Sequence, residues 1–322
     1  MTTVELRPFT DSDLEVMASI STAWNKHFHV PIVDTAELFD EELSEPLVLR
    51  STDVRVATID NQSVGYVYTY HLASDTHDQR CYVFARVLPE FLSRGVGSEL
   101  TAWGAKRAEQ KLREGPDVGK KYLRADAPIF DVDAHRIFTD VGMVPVRWFA
   151  EMRAAVGDVP QPVPVDGITI VDWDAVADNE LHRVKNEAFA DHWGSVPDDD
   201  FRWSQLTRGV SARRDLSCAA VDERGDVVGL VLTHRFPDDD VEVDGRVERV
   251  GWVDKVATLQ SWRGRGVASA LISHVVERYQ QDALTHAGLY VDSDNPTGAV
   301  SVYEKLGFRT TRRSVTYEVV IS

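Results

Sequence analysis

The sequence is short of cysteine, of positive charge and of long apolar runs. Its two cysteines, Cys81 and Cys218, lie in different halves of the 322 residues, each in an apolar, strand-like segment. That setting predicts buried free thiols and a reducing, cytoplasmic compartment. Lysine and arginine total 35 against 52 acidic residues, a formal net charge of −17. The chain therefore lacks the basic footprint of a nucleic-acid binder. A cationic partner such as an amine suits its field better. No apolar stretch nears the roughly 18 residues that cross a bilayer, so no membrane partner is expected. The start, Met1-Thr2-Thr3-Val4-Glu5, has neither the basic nor the apolar region of a signal peptide. No metal site is expected.

What is present is a soluble globular composition, 43% hydrophobic and 27% charged, long enough for one large domain or two smaller ones. Val4–Phe9 reads as a strand and Asp13 to Ile20 as a helix capped by Thr10 or Asp11. Val54–Ile59 and Val64–His71 alternate as a hairpin, and Cys81–Leu88 follows as a strand. Gly95-Val96-Gly97 then opens a helix. Tyr122–Ala125 is a short strand, Asp131–Val141 a helix ending at Gly142, and Arg147–Ala154 a strand. Pro160, Pro162 and Pro164 mark a semi-rigid linker over residues 155–166.

After the linker the order repeats at a period of about 160 residues, too long for a solenoid. Ile168–Val171 is a strand and Asp178–Ala190 a helix. Cys218–Val221 and Val227–Thr233 form a hairpin, and Val250–Leu259 is a strand. The helix from Val267 carries Ala268, Leu271, Ile272, Val275, Val276 and Tyr279 on one apolar face. Gly288–Val291 is a strand, Gly298–Leu306 a helix, and Thr316–Ile321 the last strand. Gly95 and Gly97 match Gly266 and Ala268, and Gly142-Met143 matches Gly307-Phe308. The division expected is 1–154, a linker at 155–166, and 167–322.

One stretch of the second copy carries chemistry. Trp262-Arg263-Gly264-Arg265-Gly266-Val267-Ala268 joins a strand to a helix. Its glycines permit a tight turn and close approach, and the first N–H groups of the helix, with its dipole, favour an anion such as pyrophosphate. Arg263 and Arg265 add cationic donors.

Arg263-x-x-Gly266-x-Ala268, then Asn295, then Tyr303-Glu-Lys-Leu-Gly307-Phe308, in that order with the right elements between them, resembles the GNAT superfamily of acyl-CoA-dependent N-acetyltransferases, here in tandem. Leu289-Tyr-Val-Asp-Ser-Asp-Asn-Pro296 and the tandem layout are similar to the mycothiol synthase family of actinobacteria. The resemblance implies an α/β (α+β) chain of two domains, each a mixed, mostly antiparallel sheet flanked by helices. It implies acetyl-CoA as co-substrate and direct transfer to a small amine in a ternary complex, by a monomer or homodimer. It further implies that backbone N–H groups of Arg263, Gly264, Arg265, Gly266, Val267 and Ala268 hold the pyrophosphate. The strand edge at Ala257 and Thr258, and Asn295, would hold the pantetheine arm. Tyr303 is then the candidate acid for the leaving thiolate.

Trp252 stands where many relatives carry a base Glu. Strand alternation sends Asp254 to the face of Trp252 and Lys255 to the other, so Asp254 is the candidate base. Glu187, Asp191, His192, Trp193 and Trp252 are the candidate acceptor-site residues. Two other readings stay open: a non-catalytic acyl-CoA-binding or sensor protein, and a protein-lysine acetyltransferase. The first copy has Leu92-Ser93 for Arg263-Gly264 and Phe138 for Tyr303, so it is expected not to catalyse. Arg263→Glu should abolish turnover and Arg94→Glu should leave it. Equal loss in the two variants, measured as steady-state CoA release, contradicts this asymmetry.

Overall fold

A tight turn and a capping box begin the first sheet. In the computed structural model, which describes residues 3–321 except 237, 239, 244, 245 and 295–297, Thr10 N–H and Oγ1 both donate to Asp13 (2.8 and 2.9 Å). This box links β1 (Glu5–Pro8) to α1 (Leu14–His27). α2 (Ala36–Glu42) and α3 (Arg50–Asp53) follow. β2 (Val54–Ile59) and β3 (Gln62–Leu72) are joined by Asp60-Asn61, both with positive φ (49° and 64°), the hairpin geometry these two residue types tolerate. β4 (Gln79–Val87), α4 (Val96–Glu114), β5 (Lys121–Pro128), α5 (Val132–Asp140) and β6 (Val144–Ala155) complete the first copy. The second copy comprises β7 (Ile168–Asp172), α6 (Asp178–Phe189), α7 (Asp200–Arg208), β8 (Cys218–Asp222) and β9 (Val227–Arg235). The small ribbon β10 (Val241–Val243) and β11 (Arg246–Glu248) comes next. β12 (Val250–Thr258), α8 (Val267–Gln281), β13 (His286–Asp292), α9 (Ala299–Lys305) and β14 (Arg309–Ile321) end it.

The chain forms two compact units: unit 1 is Met1–Trp148 with Ser314–Ser322, and unit 2 is Phe149–Arg313. The strand order in unit 1 is β1-β2-β3-β4-β5-β14, with β4 and β5 parallel. α4 covers one face through Leu100, Ala108 and Leu112, and Met17 and Ile20 of α1 and Phe39 of α2 cover the other. The strand order in unit 2 is β6-β13-β12-β9-β8-β7, with β12 and β13 parallel. α8 buries Leu271, Ile272, Val275, Val276 and Tyr279 on one face, the stripe expected from the sequence. Leu181 and Val184 of α6 and Trp203 of α7 pack on the other.

Two strands run from one unit into the other. Phe149–Ala155 of β6 pair with β13 in unit 2, and Ser314–Ile321 of β14 pair with β5 in unit 1. The proline-rich stretch is therefore no boundary between compact units. It wraps on unit 2: Val156 N–H donates to Thr285 O (3.0 Å), Gln280 Nε2 donates to Val156 O (2.9 Å), and Val159 is buried. Proline blocks ladder pairing but not this kind of packing. Both cysteines are buried free thiols, and burial pushes each up to about 12.

In unit 1 the exchanged strand is fixed by a buried ion pair, Arg124 to Glu318 at 2.6 Å. Removing one partner leaves an uncompensated charge. Glu318→Ala should cost about 3–5 kcal/mol in urea unfolding; a loss below about 1 kcal/mol, the worth of a surface pair, contradicts the buried role.

Candidate active site

β12 is the strand on which the site is built. Its register with β9 is regular from Gly251 to Val253, then skips: Val253 faces Thr233 and Lys255 faces Leu232, so Asp254 is an extra residue. This is a β-bulge, which bends the strand and disrupts the local ladder. On the other edge, pairing with β13 stops at Trp252 and Gly288. Beyond that point β12 and β13 separate, and the edge of β12 through Ala257 and Thr258 no longer pairs with β13. An extended amide-bearing ligand can add to such an edge as a strand does. Thr258 Oγ1 is buried there without a hydrogen-bond partner among the described residues.

The bulge overturns one expectation from alternation. Gly251, Val253 and Val256 face α8, while Trp252 and Ala257 face away from it. The extra residue lets Asp254 and Lys255 lie on one face, Nζ to Oδ2 at 2.8 Å. Lys255 does not point the other way. Asp254 keeps 30% of its side chain accessible, so the pair is recessed rather than sealed. Burial alone would raise the Asp254 carboxyl; Lys255, with His234 of β9 and Lys185 of α6, holds it below the ordinary carboxylate value. Burial lowers Lys255, but Asp254 and Asp198 outweigh it and hold the ammonium above its usual value. Lys185 is itself buried and paired with Asp198, a partnership that α6 spacing alone did not reveal.

At the end of β12 the chain makes a 3-10 turn (Gln260–Trp262), then passes Gly264 (φ 76°) and Gly266 (φ 87°) into α8. Both glycines occupy the left-handed region that other residues avoid. The first α8 bond runs from Ala270 N–H to Gly266 O (3.0 Å), so the N–H groups of Val267, Ala268 and Ser269 precede the helical ladder and face an anion site. Arg265 is exposed, its guanidinium 4.8 Å from the Trp262 ring. Arg263 is committed elsewhere. It pairs with Asp191 (2.5 and 3.0 Å) and donates to Ala188 O (2.8 Å) and Thr258 O (3.3 Å), clipping the loop to the end of α6. Hydrogen bonding to Arg263 holds the Asp191 carboxyl low. Asp191 is thus tied to the glycine turn through Arg263.

Tyr303 of α9 packs on the α8 side of the sheet, its ring 6.2 Å from that of Phe308. Among the described residues its hydroxyl makes no hydrogen bond. Burial pushes it up to about 12, which keeps its proton on at neutral pH. Asn295 lies outside the described residues. Glu187 pairs with Arg183 on the exposed surface of α6 (2.9 Å). His192 rests on Phe189, with ring centroids 4.4 Å apart; burial lowers its pKa. Trp193 is 36% exposed and 6.4 Å from Phe149. Trp252 is buried against Gly288, where a Cβ would meet its ring at 2.8 Å. The exposed ring is Tyr290, stacked on Trp252 at 5.2 Å and donating its hydroxyl to Glu151 (3.3 Å). Glu151 also takes Arg153 (2.8 Å), Arg312 (2.9 Å) and Thr311 (2.9 Å). Sequence reasoning missed this network because β6 enters unit 2 from the first copy.

Unit 1 lacks these features. β3 and β4 pair without a skip, and Ser93 (φ 56°) donates to Asp133 at 2.8 Å, placing a carboxylate at the turn where unit 2 offers bare N–H groups. Phe138, the counterpart of Tyr303, is buried 5.5 Å from Tyr317.

The profile of the Acetyltransferase (GNAT) family matches residues 179–308. The chain is 27% identical over 331 aligned residues to the mycothiol acetyltransferase of Mycobacterium sp. (strain JLS), covering 99% of each. It is 32% identical over 162 residues to that of Streptomyces griseus, 48% of this chain and 47% of the relative. A GCN5-related N-acetyltransferase from Sphaerobacter thermophilus shares the fold at TM-score 0.74 and 22% identity, covering 99% and 96%. A tandem GNAT protein from the clavulanic acid biosynthesis pathway does so at 0.69 and 15%, covering 99% of each.

The Arg263–Asp191 clip gives a direct test. Arg263→Ala and Asp191→Ala should each raise the KM for acetyl-CoA, and the double variant should match the worse single, because both remove one interaction. Additive losses would show that Asp191 also acts apart from Arg263.

Proposed function

We propose, from the premise that the chain is a tandem GNAT N-acetyltransferase that uses acetyl-CoA, that unit 2 acetylates a small primary amine by direct transfer. The observation that carries this reading is the split between β12 and β13, with Asp254 on one face of the sheet and, on the other, the Tyr303 hydroxyl, which has no hydrogen-bond partner among the described residues. The full-length relatives named mycothiol acetyltransferase support a small-molecule acceptor.

The N–H groups of Gly264 to Ala268 would hold the pyrophosphate, and the edge of β12 from Ala257 to Thr258 the pantetheine arm. The thioester carbonyl then lies in the split near the bulge. The amine nitrogen attacks that carbon, and its proton passes to Asp254, directly or through a water. As the C–N bond forms and the C–S bond breaks, the thiolate takes the proton of Tyr303. Asp254 is a weak base by virtue of Lys255, so its task is to receive a proton the nitrogen is already losing. Substitution at Asp254 should therefore cost less than at Tyr303.

Unit 1, with Asp133 at its turn and Phe138 for the acid, contributes no turnover in this reading. On this reading the acidic chain acts in the cytoplasm, as a monomer or homodimer.

CoA release with a panel of primary amines tests the reading. Tyr303→Phe should lower kcat about 100-fold, and Phe138→Tyr should add nothing. No release with any amine, while acetyl-CoA still binds, would make the chain an acyl-CoA-binding protein. Lys255→Met removes the neighbour that holds Asp254 low, so the acid limb of the kcat/KM profile should move to higher pH. An unmoved limb removes Asp254 as the base.

A further inference from the structure

On the face of unit 2 away from α8, one aromatic ring is both exposed and held flat. Pairing of β12 with β13 runs in step from Val250 with His286 to Trp252 with Gly288, and stops there. Carried two residues further, the same step would set Asp254 across from Tyr290, so the two stand on opposite banks of the split. Tyr290 leans back over the last paired residue: its ring stacks on Trp252 at 5.2 Å and 6°. Trp252 is buried and covers one face of that ring, while Tyr290 itself is 56% exposed. The second face of the ring is therefore bare.

A buried network sets the ring in place. Tyr290 Oη donates to Glu151 (3.3 Å), its partner in the β13–β6 register, which also takes Arg153 (2.8 Å) and Arg312 (2.9 Å). Glu151 is buried, and the Arg153 guanidinium lies 5.3 Å from the Trp252 ring. Three charged groups thus fix one exposed phenol. A ring held this way has already lost its rotamer freedom and takes a flat partner at smaller entropic cost. Two more rings stand beside it. Phe149 precedes Glu151 by two residues on β6, on the same face, and pairs with Asp292, which makes it the diagonal neighbour of Tyr290. Trp193, 36% exposed, lies 6.4 Å from Phe149.

We propose that Tyr290, with Phe149 and Trp193, is the acceptor platform of unit 2 and selects amines that carry an aromatic ring a short link from the nitrogen. This rests on the reading of unit 2 as the acetylating unit. Two residues of strand, about 6–7 Å, separate Trp252 from Asp254. A ring seated on the bare face of Tyr290 therefore brings an ammonium two carbons away to the Asp254 carboxylate. The face of an aromatic ring attracts both a second ring and a nearby cation. The two arginines beneath are engaged by Glu151. An acyclic amine reaches Asp254 as well but leaves the platform wet.

Steady-state CoA release with phenethylamine and with hexylamine, an acyclic amine of similar apolar area, tests this. Isothermal titration of phenethylamine into the CoA-loaded full chain is run beside it. Phenethylamine should exceed hexylamine in kcat/KM at least about tenfold. Tyr290→Leu should lose that preference and Tyr290→Phe should keep it, because the ring and not the hydroxyl meets the ligand. Tyr303→Phe should slow both amines alike and leave their ratio as it was. Equal efficiency with the two amines, or a preference that survives Tyr290→Leu, overturns the platform and leaves acetyl transfer in place. Trp193→Ala, at the rim, should lower the preference several-fold; an unmoved ratio there overturns the aromatic cleft even where Tyr290→Leu fails to fold. Saturable phenethylamine binding that weakens at least tenfold in Tyr290→Leu, without CoA release from any amine, upholds the platform and overturns acetyl transfer. Neither saturation nor release overturns both.

Discussion

The bulge at Asp254 is the constraint on which unit 2 depends. One extra residue in β12 has three consequences. It bends the strand just where pairing with β13 stops, opening a split in a sheet that is otherwise continuous there. It takes Asp254 and Lys255 out of alternation, so a carboxylate and an ammonium meet on one face. It also leaves Val256 to Thr258 paired with β9 alone, their other edge open. The same strand then delivers the chain to the glycine turn before α8. A glycine turn, an unpaired edge and a recessed carboxylate thus occur in series along about fifteen residues, spaced by strand geometry.

What surrounds the bulge keeps that opening from collapsing. Trp252, the last residue to pair with β13, is wedged over Gly288 and clamped by Tyr290 and Arg153. Glu151 fixes Tyr290 and both arginines in turn. At the far end Arg263 ties the turn to α6. Each brace engages the side chains that the turn does not need. Arg263 is therefore spent on bracing the turn, and Arg265 and the positive end of the α8 dipole are left exposed there.

Much of this was legible in the sequence. The hairpins, the α8 stripe, the glycine turns and the repeat follow from periods of 2 and 3.6 and from residues that tolerate positive φ. The glycine turn, Tyr303 and its Phe138 twin stand out as candidates because local chemistry and spacing mark them. The failures have a common cause. Lys255 was sent to the wrong face because alternation assumes an unbroken ladder, and nothing in Val253-Asp254-Lys255 announces a bulge. The fate of Arg263 depends on Asp191, 72 residues earlier. The proline-rich stretch looked like a boundary because composition reports stiffness, not packing. The exchange of β6 and β14, and the Glu151 network with it, involves pairings between residues over a hundred positions apart, which no local pattern encodes.

The two copies differ at coupled points. Unit 1 keeps the glycine at the helix start, but Ser93 replaces Gly264 and is latched to Asp133. Counting five residues back from Phe138 and from Tyr303 sets Asp133 against Gly298, which has no side chain to offer. A carboxylate at that point repels the phosphate that the turn would otherwise attract, whatever the glycines allow. Tyr in place of Phe138 would supply an acid beside a turn that still carries Asp133. Removing Asp133 would open a turn beside a strand without a bulge. On the proposed reading, no single change gives unit 1 the full set of groups that unit 2 carries.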